Sequence, residues 1–158
     1  MIYKQDYYQG VAVLQVIGHP RYVGIRKHEC GFIVNDKIFF LVKYSTKPRS
    51  PWRFTFTQDE LNRVASLIGS YRRLAVAFVC GGDGICALGW DQIENLMGFD
   101  PGWIGVKRGF SGSYAVWGPL TALKRRIPLK GWPEILFSRG GRTPNEYAEH
   151  AESENCGD

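Results

Sequence analysis

Basic and aromatic side chains alternate over residues 43–53, and no acidic residue lies among them. The basic residues are Lys43, Lys47, Arg49 and Arg53, with Tyr44 and Trp52 between them. Lysine and arginine neutralise phosphate groups, and aromatic rings stack on unpaired bases. This composition favours a segment that binds nucleic acid. The alternatives are a solvated loop and a Trp52 side chain that anchors the loop in the core.

A second basic stretch covers residues 107–142, where Glu134 is the single acidic residue. Its densest part is the triplet Lys124, Arg125 and Arg126, which we expect to contact phosphate. Residues 1–142 hold all 20 basic and 10 of the 15 acidic residues, so this part carries a formal charge of +10 and residues 143–158 carry −5. The net charge of +5 therefore understates how basic the body of the chain is.

Length and composition limit the class of protein. A chain of 158 residues with 44% hydrophobic residues can form one core, so we expect a single domain over residues 1–142 and a disordered acidic tail over residues 143–158. The longest apolar run, residues 74–80, is too short to cross a bilayer, and no secretory leader opens the sequence. We therefore expect a cytoplasmic protein that does not contact membranes.

Other candidate sites are weaker. The GGDG sequence at residues 81–84 lacks the Lys-Ser/Thr of a phosphate-binding loop and indicates a turn. His28 and Cys30 alternate on one predicted strand and could form a nucleophile pair, but no third residue is evident to orient them.

The hydrophobic pattern and the helix caps predict an ordered series of elements. In chain order they are a helix over 7–17, a hairpin of strands 31–34 and 37–46 around Asn35-Asp36, a strand over 53–56, a helix from the Thr57/Glu60 capping box to about Ser70, a buried central strand over 74–80, its partner over 85–90, a short helix ending at Gly98, and a hairpin of strands 103–107 and 113–117. Residues 119–142 predict irregular structure, because three prolines interrupt them.

This order, together with the stretch FFLVKYSTKPRSPWRFTFTQDEL, resembles the restriction-endonuclease-like (PD-(D/E)xK) nuclease superfamily over roughly residues 7–95. The resemblance implies an α/β fold with a core of helix, β-hairpin, helix and strand pair, followed here by a β-rich C-terminal elaboration. It also implies a Mg²⁺ site with two carboxylates on adjacent strands and a lysine beside the attacking water. Lys43 occupies the lysine position, but Leu41 stands where the second carboxylate would be.

The hairpin register decides whether Glu29 can complete this site. If Asn35 and Asp36 form a two-residue loop, Lys43 faces His28, and Glu29 points to the opposite side of the sheet. A three-residue loop or a bulge instead places Glu29 opposite Lys43, because a slip of one residue exchanges the two faces.

Three functions follow as hypotheses. The leading one is a protein that binds DNA or RNA and has lost or altered its nuclease chemistry, using Lys43, Lys47, Arg49, Trp52, Arg53 and residues 124–126. The second is an active Mg²⁺-dependent nuclease in which Glu29 holds the metal and Glu29 and Lys43 are catalytic. The third is a small regulatory or immunity-type domain that binds another protein.

Overall fold

The described part of the chain, residues 1–110 and 112–138 of a computed structural model, contains four helices and nine strands. In chain order these are α1 (Lys4–Ile17), β1 (Ile25–Lys27), β2 (Phe32–Val34), β3 (Ile38–Ser45), β4 (Trp52–Phe56), α2 (Gln58–Ala65), β5 (Arg73–Cys80), β6 (Gly84–Gly89), α3 (Trp90–Met97), β7 (Gly102–Arg108), β8 (Ser113–Trp117), β9 (Ile127–Pro128) and α4 (Gly131–Phe137). The predicted acidic tail over residues 143–158 lies outside the described residues.

The most apolar segments form the centre of sheet A, whose described strands follow the order β1-β2-β3-β5-β6. β3 and β5 are paired in parallel, and the other neighbours are antiparallel. The prediction of a central strand over residues 74–80 is confirmed, because β5 lies between β3 and β6 with most of its residues buried.

Sheet B is antiparallel, with β4, β7, β8 and β9 in that order among the described strands. Trp52, Phe54 and Phe56 alternate with exposed residues along β4, so one face of this sheet is apolar. That face packs on sheet A, and the side chains between the two sheets form the larger core, to which α2 and α3 also contribute.

The opposite face of sheet A is covered by α1 and α4. Ala12 and Val16 of α1 and Trp132, Leu136 and Phe137 of α4 form a second core on that face. The chain is therefore a layered α/β structure of helices, sheet A and sheet B, which confirms the α/β class. No helix among the described residues combines the length and the apolar character needed to span a bilayer.

Two predicted helix boundaries are wrong, each for a local reason. α1 begins at Lys4 rather than residue 7, because the carboxylate of Asp6 accepts a hydrogen bond from the backbone N–H of Tyr3 (3.1 Å). α2 begins after Thr57 as predicted but ends at Ala65 rather than near Ser70. After Ala65 the hydrogen bonding changes to the 3₁₀ type, because Leu67 N–H donates to the carbonyl oxygen of Val64, three residues earlier (2.9 Å).

Of the two registers considered for the hairpin between β2 and β3, the structure has the one with a three-residue loop. Val34 pairs with Ile38, so residues 35–37 form the loop. Asn35 and Asp36 have positive φ angles of 53° and 61°, a conformation that these residue types tolerate. The side-chain oxygen of Asn35 also accepts hydrogen bonds from the backbone N–H groups of Val23 (2.7 Å) and Gly24 (3.0 Å), which hold the loop in place.

Candidate nucleic-acid interface

Lys43 lies near the end of β3, on the side of sheet A that faces sheet B. Its ammonium donates a hydrogen bond to Oε2 of Glu60 (2.5 Å) and lies 4.8 Å from the centre of the Phe56 ring. Phe56 is the last residue of β4, and Glu60 lies in the first turn of α2. The lysine side chain therefore links β3 to the following strand and helix.

Glu60 also caps α2, as the sequence predicts. Its Oε1 accepts hydrogen bonds from the N–H (3.1 Å) and the hydroxyl (3.2 Å) of Thr57. Partial burial acts to raise the pKa of Glu60, but the hydrogen bonds from Lys43 and Thr57 and the charge of Lys43 outweigh it and hold the pKa below its ordinary 4.5. Glu60 is thus an ionised carboxylate whose two oxygens are both engaged.

Replacing Glu60 by glutamine should lower the free energy of unfolding at neutral pH by at most about 1 kcal/mol, the size of a partly exposed ion pair. Because the folded chain lowers the pKa of Glu60, this contribution is complete above about pH 4.5 and is lost as the pH falls through the folded-state pKa. Urea unfolding of both proteins across this pH range measures the difference. Asp59→Asn removes a charge from the same helical turn and is the control. A Glu60→Gln deficit that stays constant in acid would contradict the assignment.

A cavity of about 200 Å³ opens beside Lys43. Its lining residues are Gln5, Gln9, Lys27, Glu29, Cys30, Leu41, Val42, Lys43, Glu60 and Arg63. The structure therefore brings Glu29 and Lys43 to the same cavity, but not through the predicted strand pairing. β2 begins only at Phe32, and Glu29 lies in the turn that joins β1 to β2, closed by a hydrogen bond from His28 N–H to the carbonyl of Gly31 (2.8 Å).

The side chains around this cavity do not fit the Mg²⁺ site that the resemblance implies. Leu41 is buried at the position of the second carboxylate, and both oxygens of Glu60 are held by Lys43 and Thr57. Within residues 1–110 and 112–138, no three His, Cys, Asp or Glu side chains are grouped so that they could hold a metal ion. Glu29 and Lys43 therefore do not have beside them the second carboxylate that the implied hydrolytic site needs.

The His28 and Cys30 pair does not form an activated nucleophile. The sulfur of Cys30 lies 3.7 Å from Nδ1 of His28. Burial raises the pKa of the Cys30 thiol above its ordinary value, although the charge of Arg63 opposes the shift. A raised pKa favours the protonated thiol, which is the weaker nucleophile.

In the basic segment of residues 43–53, the tryptophan is buried, whereas Arg49 and Arg53 are exposed. Trp52 is 2% exposed, and its ring N–H donates to the carbonyl oxygen of Lys47 (2.8 Å). Trp52 therefore anchors the loop in the core, and its ring has no free face for a base. The ammonium of Lys47 turns back to the carbonyl oxygen of Pro51 (2.9 Å), whereas Arg49 and Arg53 are exposed.

Arg53 lies on the face of sheet B that points away from sheet A, and we call this surface the outer face. Trp103 and Lys107 of β7 and Trp117 of β8 lie on the same side, because each alternates with a buried residue of its strand. Arg53 pairs with Gly105, and Gly105 pairs with Trp117. The guanidinium of Arg53 lies over the Trp103 ring, 4.1 Å from its centre, so the cation and the aromatic ring attract each other.

Residues 124–126, the basic bulge, adjoin this face. They lie between the pairing of Ala122 with Trp117 and that of Ile127 with Tyr114, so they loop out beside β8. All three side chains are exposed. The guanidinium of Arg126 reaches Gly109 at the end of β7, where an added Cβ would collide with it.

The outer face carries cations and aromatic rings without carboxylates. None of its described outward positions on β4, β7 and β8 is Asp or Glu. Comparison with family models, curated proteins and solved structures gave no match.

The charge pattern of the sequence does not single out Trp103 and Trp117, because Trp103 precedes the basic stretch of residues 107–142 and Trp117 lies in a part of it, residues 109–123, that has no basic residue. One signal could have found them. Both stand in the predicted hairpin of strands 103–107 and 113–117, at positions that alternate with Ile104, Val106 and Val116. Strand alternation therefore places both tryptophans on the side away from the core.

Proposed function

We propose that this protein binds nucleic acid through the outer face of sheet B and the adjoining basic bulge. The observation that carries the proposal is the combination of exposed cations and partly exposed aromatic rings on this face with no carboxylate at its outward positions. Cations there would neutralise phosphates, and no acidic side chain of the face would repel them.

We also propose that the core is restriction-endonuclease-like and has lost its metal site. The order of α1, the β2-β3 hairpin, α2 and β5 supports this, as does the parallel pairing of β3 with β5. Leu41 and the engagement of Glu60 by Lys43 support the loss of hydrolytic chemistry. In this view Lys43 stabilises the fold, and nucleic acid is held at sheet B.

A salt series tests binding. Five cations, Arg53, Lys107 and the three of the basic bulge, predict a slope of about −3.5 for log K against log[salt] on a single strand. Affinity of the full chain for labelled oligonucleotides of about 20 nucleotides should fall roughly 100-fold between about 50 and 200 mM salt. Fluorescence anisotropy measures it. No binding at the lowest salt, or binding that salt does not weaken, would refute the proposal.

A second candidate function, contact with another protein, is favoured by α1. Tyr3, which caps the start of α1, and Tyr7, Val11 and Leu14 on its outer side are 62%, 64%, 43% and 69% exposed and recur at helical spacing as one stripe. We propose that the stripe packs against the same stripe of a second copy, since a two-fold interface needs only one self-complementary surface.

Sedimentation of the full chain tests self-association. We expect a dimer at micromolar concentration that Leu14→Glu converts to a monomer, because a charge would be buried in the interface. Gln5→Glu adds the same charge at an exposed position on the opposite side of α1 and should leave the dimer intact. A monomeric parent, or dimers of equal stability in both variants, would exclude this candidate.

A further inference from the structure

The outer face has a flat aromatic surface at its centre. Trp117 lies face-on over the backbone of Gly105, where three adjacent ring atoms would collide with a Cβ. The indole can rest this close to the sheet because residue 105 has no side chain. Trp117 is only partly buried, so the ring remains accessible from solvent.

From this geometry we propose that the outer face binds single-stranded nucleic acid, with an unpaired base stacked on Trp117 and phosphates held by Lys107 and the basic bulge. The inference rests on the proposed function and specifies its ligand. Aromatic side chains on an open sheet can stack any base, because every base has a π face, so this recognition depends little on sequence.

The neighbouring groups extend the same surface on both sides of Trp117. Arg53 lies across Gly105 from Trp117 in the cross-strand row, and its guanidinium lies over the Trp103 ring. Lys107 is two residues along β7 from Gly105, a distance of about 7 Å, which equals the rise of two stacked nucleotides. A base on Trp117 and a phosphate of the same strand at Lys107 are therefore compatible with one continuous chain.

A duplex cannot use this surface in the same way. Sheet B has four strands in the described residues, and strands spaced about 4.8 Å apart give a face at least 14 Å wide. The major groove is about 12 Å wide and admits a helix or a two-stranded ribbon. Paired bases would also be closed to Trp117, so a duplex would meet only the cations.

The experiment compares single strands with a duplex on the full chain. Oligothymidylate and oligouridylate of about 20 nucleotides and a hairpin duplex of similar length are titrated by anisotropy. Trp117→Leu should weaken single-strand binding roughly 5- to 100-fold, and Trp117→Phe should retain most of the affinity because it keeps an aromatic ring. The salt slope should not change in either variant, since stacking releases no counterions. Gly105→Ala, which displaces the indole without altering it, should act in the same direction as Trp117→Leu.

The outcomes separate the two proposals. A duplex bound as tightly as the single strands, or single-strand affinity that Trp117→Leu leaves unchanged, overturns the inference and leaves salt-dependent binding to nucleic acid standing. Failure of every probe to bind overturns both. If Trp117→Leu does not fold, tryptophan fluorescence of the unaltered chain decides, because a stacked base should quench it on a single strand and a duplex should not.

Discussion

Replacing Lys124, Arg125 and Arg126 together by glutamate should weaken nucleic-acid binding at least roughly 100-fold and reduce the salt slope by about 2 on a single strand. The three side chains are exposed beside β8, and none forms an ion pair with another described residue. They are therefore free to bind phosphate. Replacing these positive charges by negative ones turns the attraction to phosphate into repulsion. Anisotropy titrations of parent and variant over the same salt series measure both quantities.

The control for this variant changes the net charge equally at another place. Lys4, Lys37 and Arg72 are exposed cations that belong to α1 or border sheet A. Their replacement by glutamate alters the charge by the same amount but leaves sheet B intact, so we expect a loss of less than about 10-fold. Equal losses in the two triple variants would mean that net charge attracts the polyanion and that the outer face of sheet B is not the binding surface.

Several elements that local sequence determines were predicted correctly, although α1 and α2 each have one wrong boundary and α4 lies within residues 119–142, which were predicted to be irregular. The capping box of Thr57 and Glu60 needs only residues three apart, and the apolar run of β5 needs only its own length. β8 matches the predicted range of residues 113–117. In each case the deciding signal lies within one element.

Elements defined by their partners were not predicted. β1 and β9 have three and two residues, too few for a periodic signal, and they are strands only because β2 and β8 lie beside them. The same holds for the hairpin loop. The two-residue and three-residue alternatives could not be separated from the sequence, because the hydrogen bonds that hold Asn35 come from Val23 and Gly24, outside any predicted element.

In the candidate site, too, properties of single residues could be predicted, whereas contacts between distant elements could not. The sequence identified Arg53 and residues 124–126 by their charge, which is a property of each residue alone. It could not show that Lys43 is paired with Glu60, 17 residues away, because that contact requires α2 to pack beside the end of β3. Nor could it choose between Trp52 and the tryptophans of β7 and β8, since the burial of each ring depends on which face of sheet B meets sheet A.

The packing of the two sheets leads to the prediction with the largest effect on stability. Phe78 of β5 is fully buried between them, with its ring centre 4.8 Å from that of Phe54 and 6.1 Å from that of Phe56, both in β4. Phe78→Ala should lower the free energy of unfolding by about 3–5 kcal/mol, because it removes this contact and leaves a cavity. Such a loss is a large part of the total stability of a small domain. Urea unfolding followed by tryptophan fluorescence and by far-UV circular dichroism measures it.

Two variants show whether the loss comes from the contact between the sheets. Phe78→Leu keeps much of the apolar volume and should cost clearly less than alanine. Val79→Ala is the second variant. Val79 follows Phe78 in β5, and its side chain lies in the core between sheet A and the helices α1 and α4, so this change removes fewer atoms and leaves the contact between the sheets intact. If the sheets fold as one unit, both probes should report a single transition in every variant. A separate transition of sheet B, or a cost below about 1 kcal/mol for Phe78→Ala, would show that sheet B is stable without sheet A and that the proposed nucleic-acid surface is an independent module.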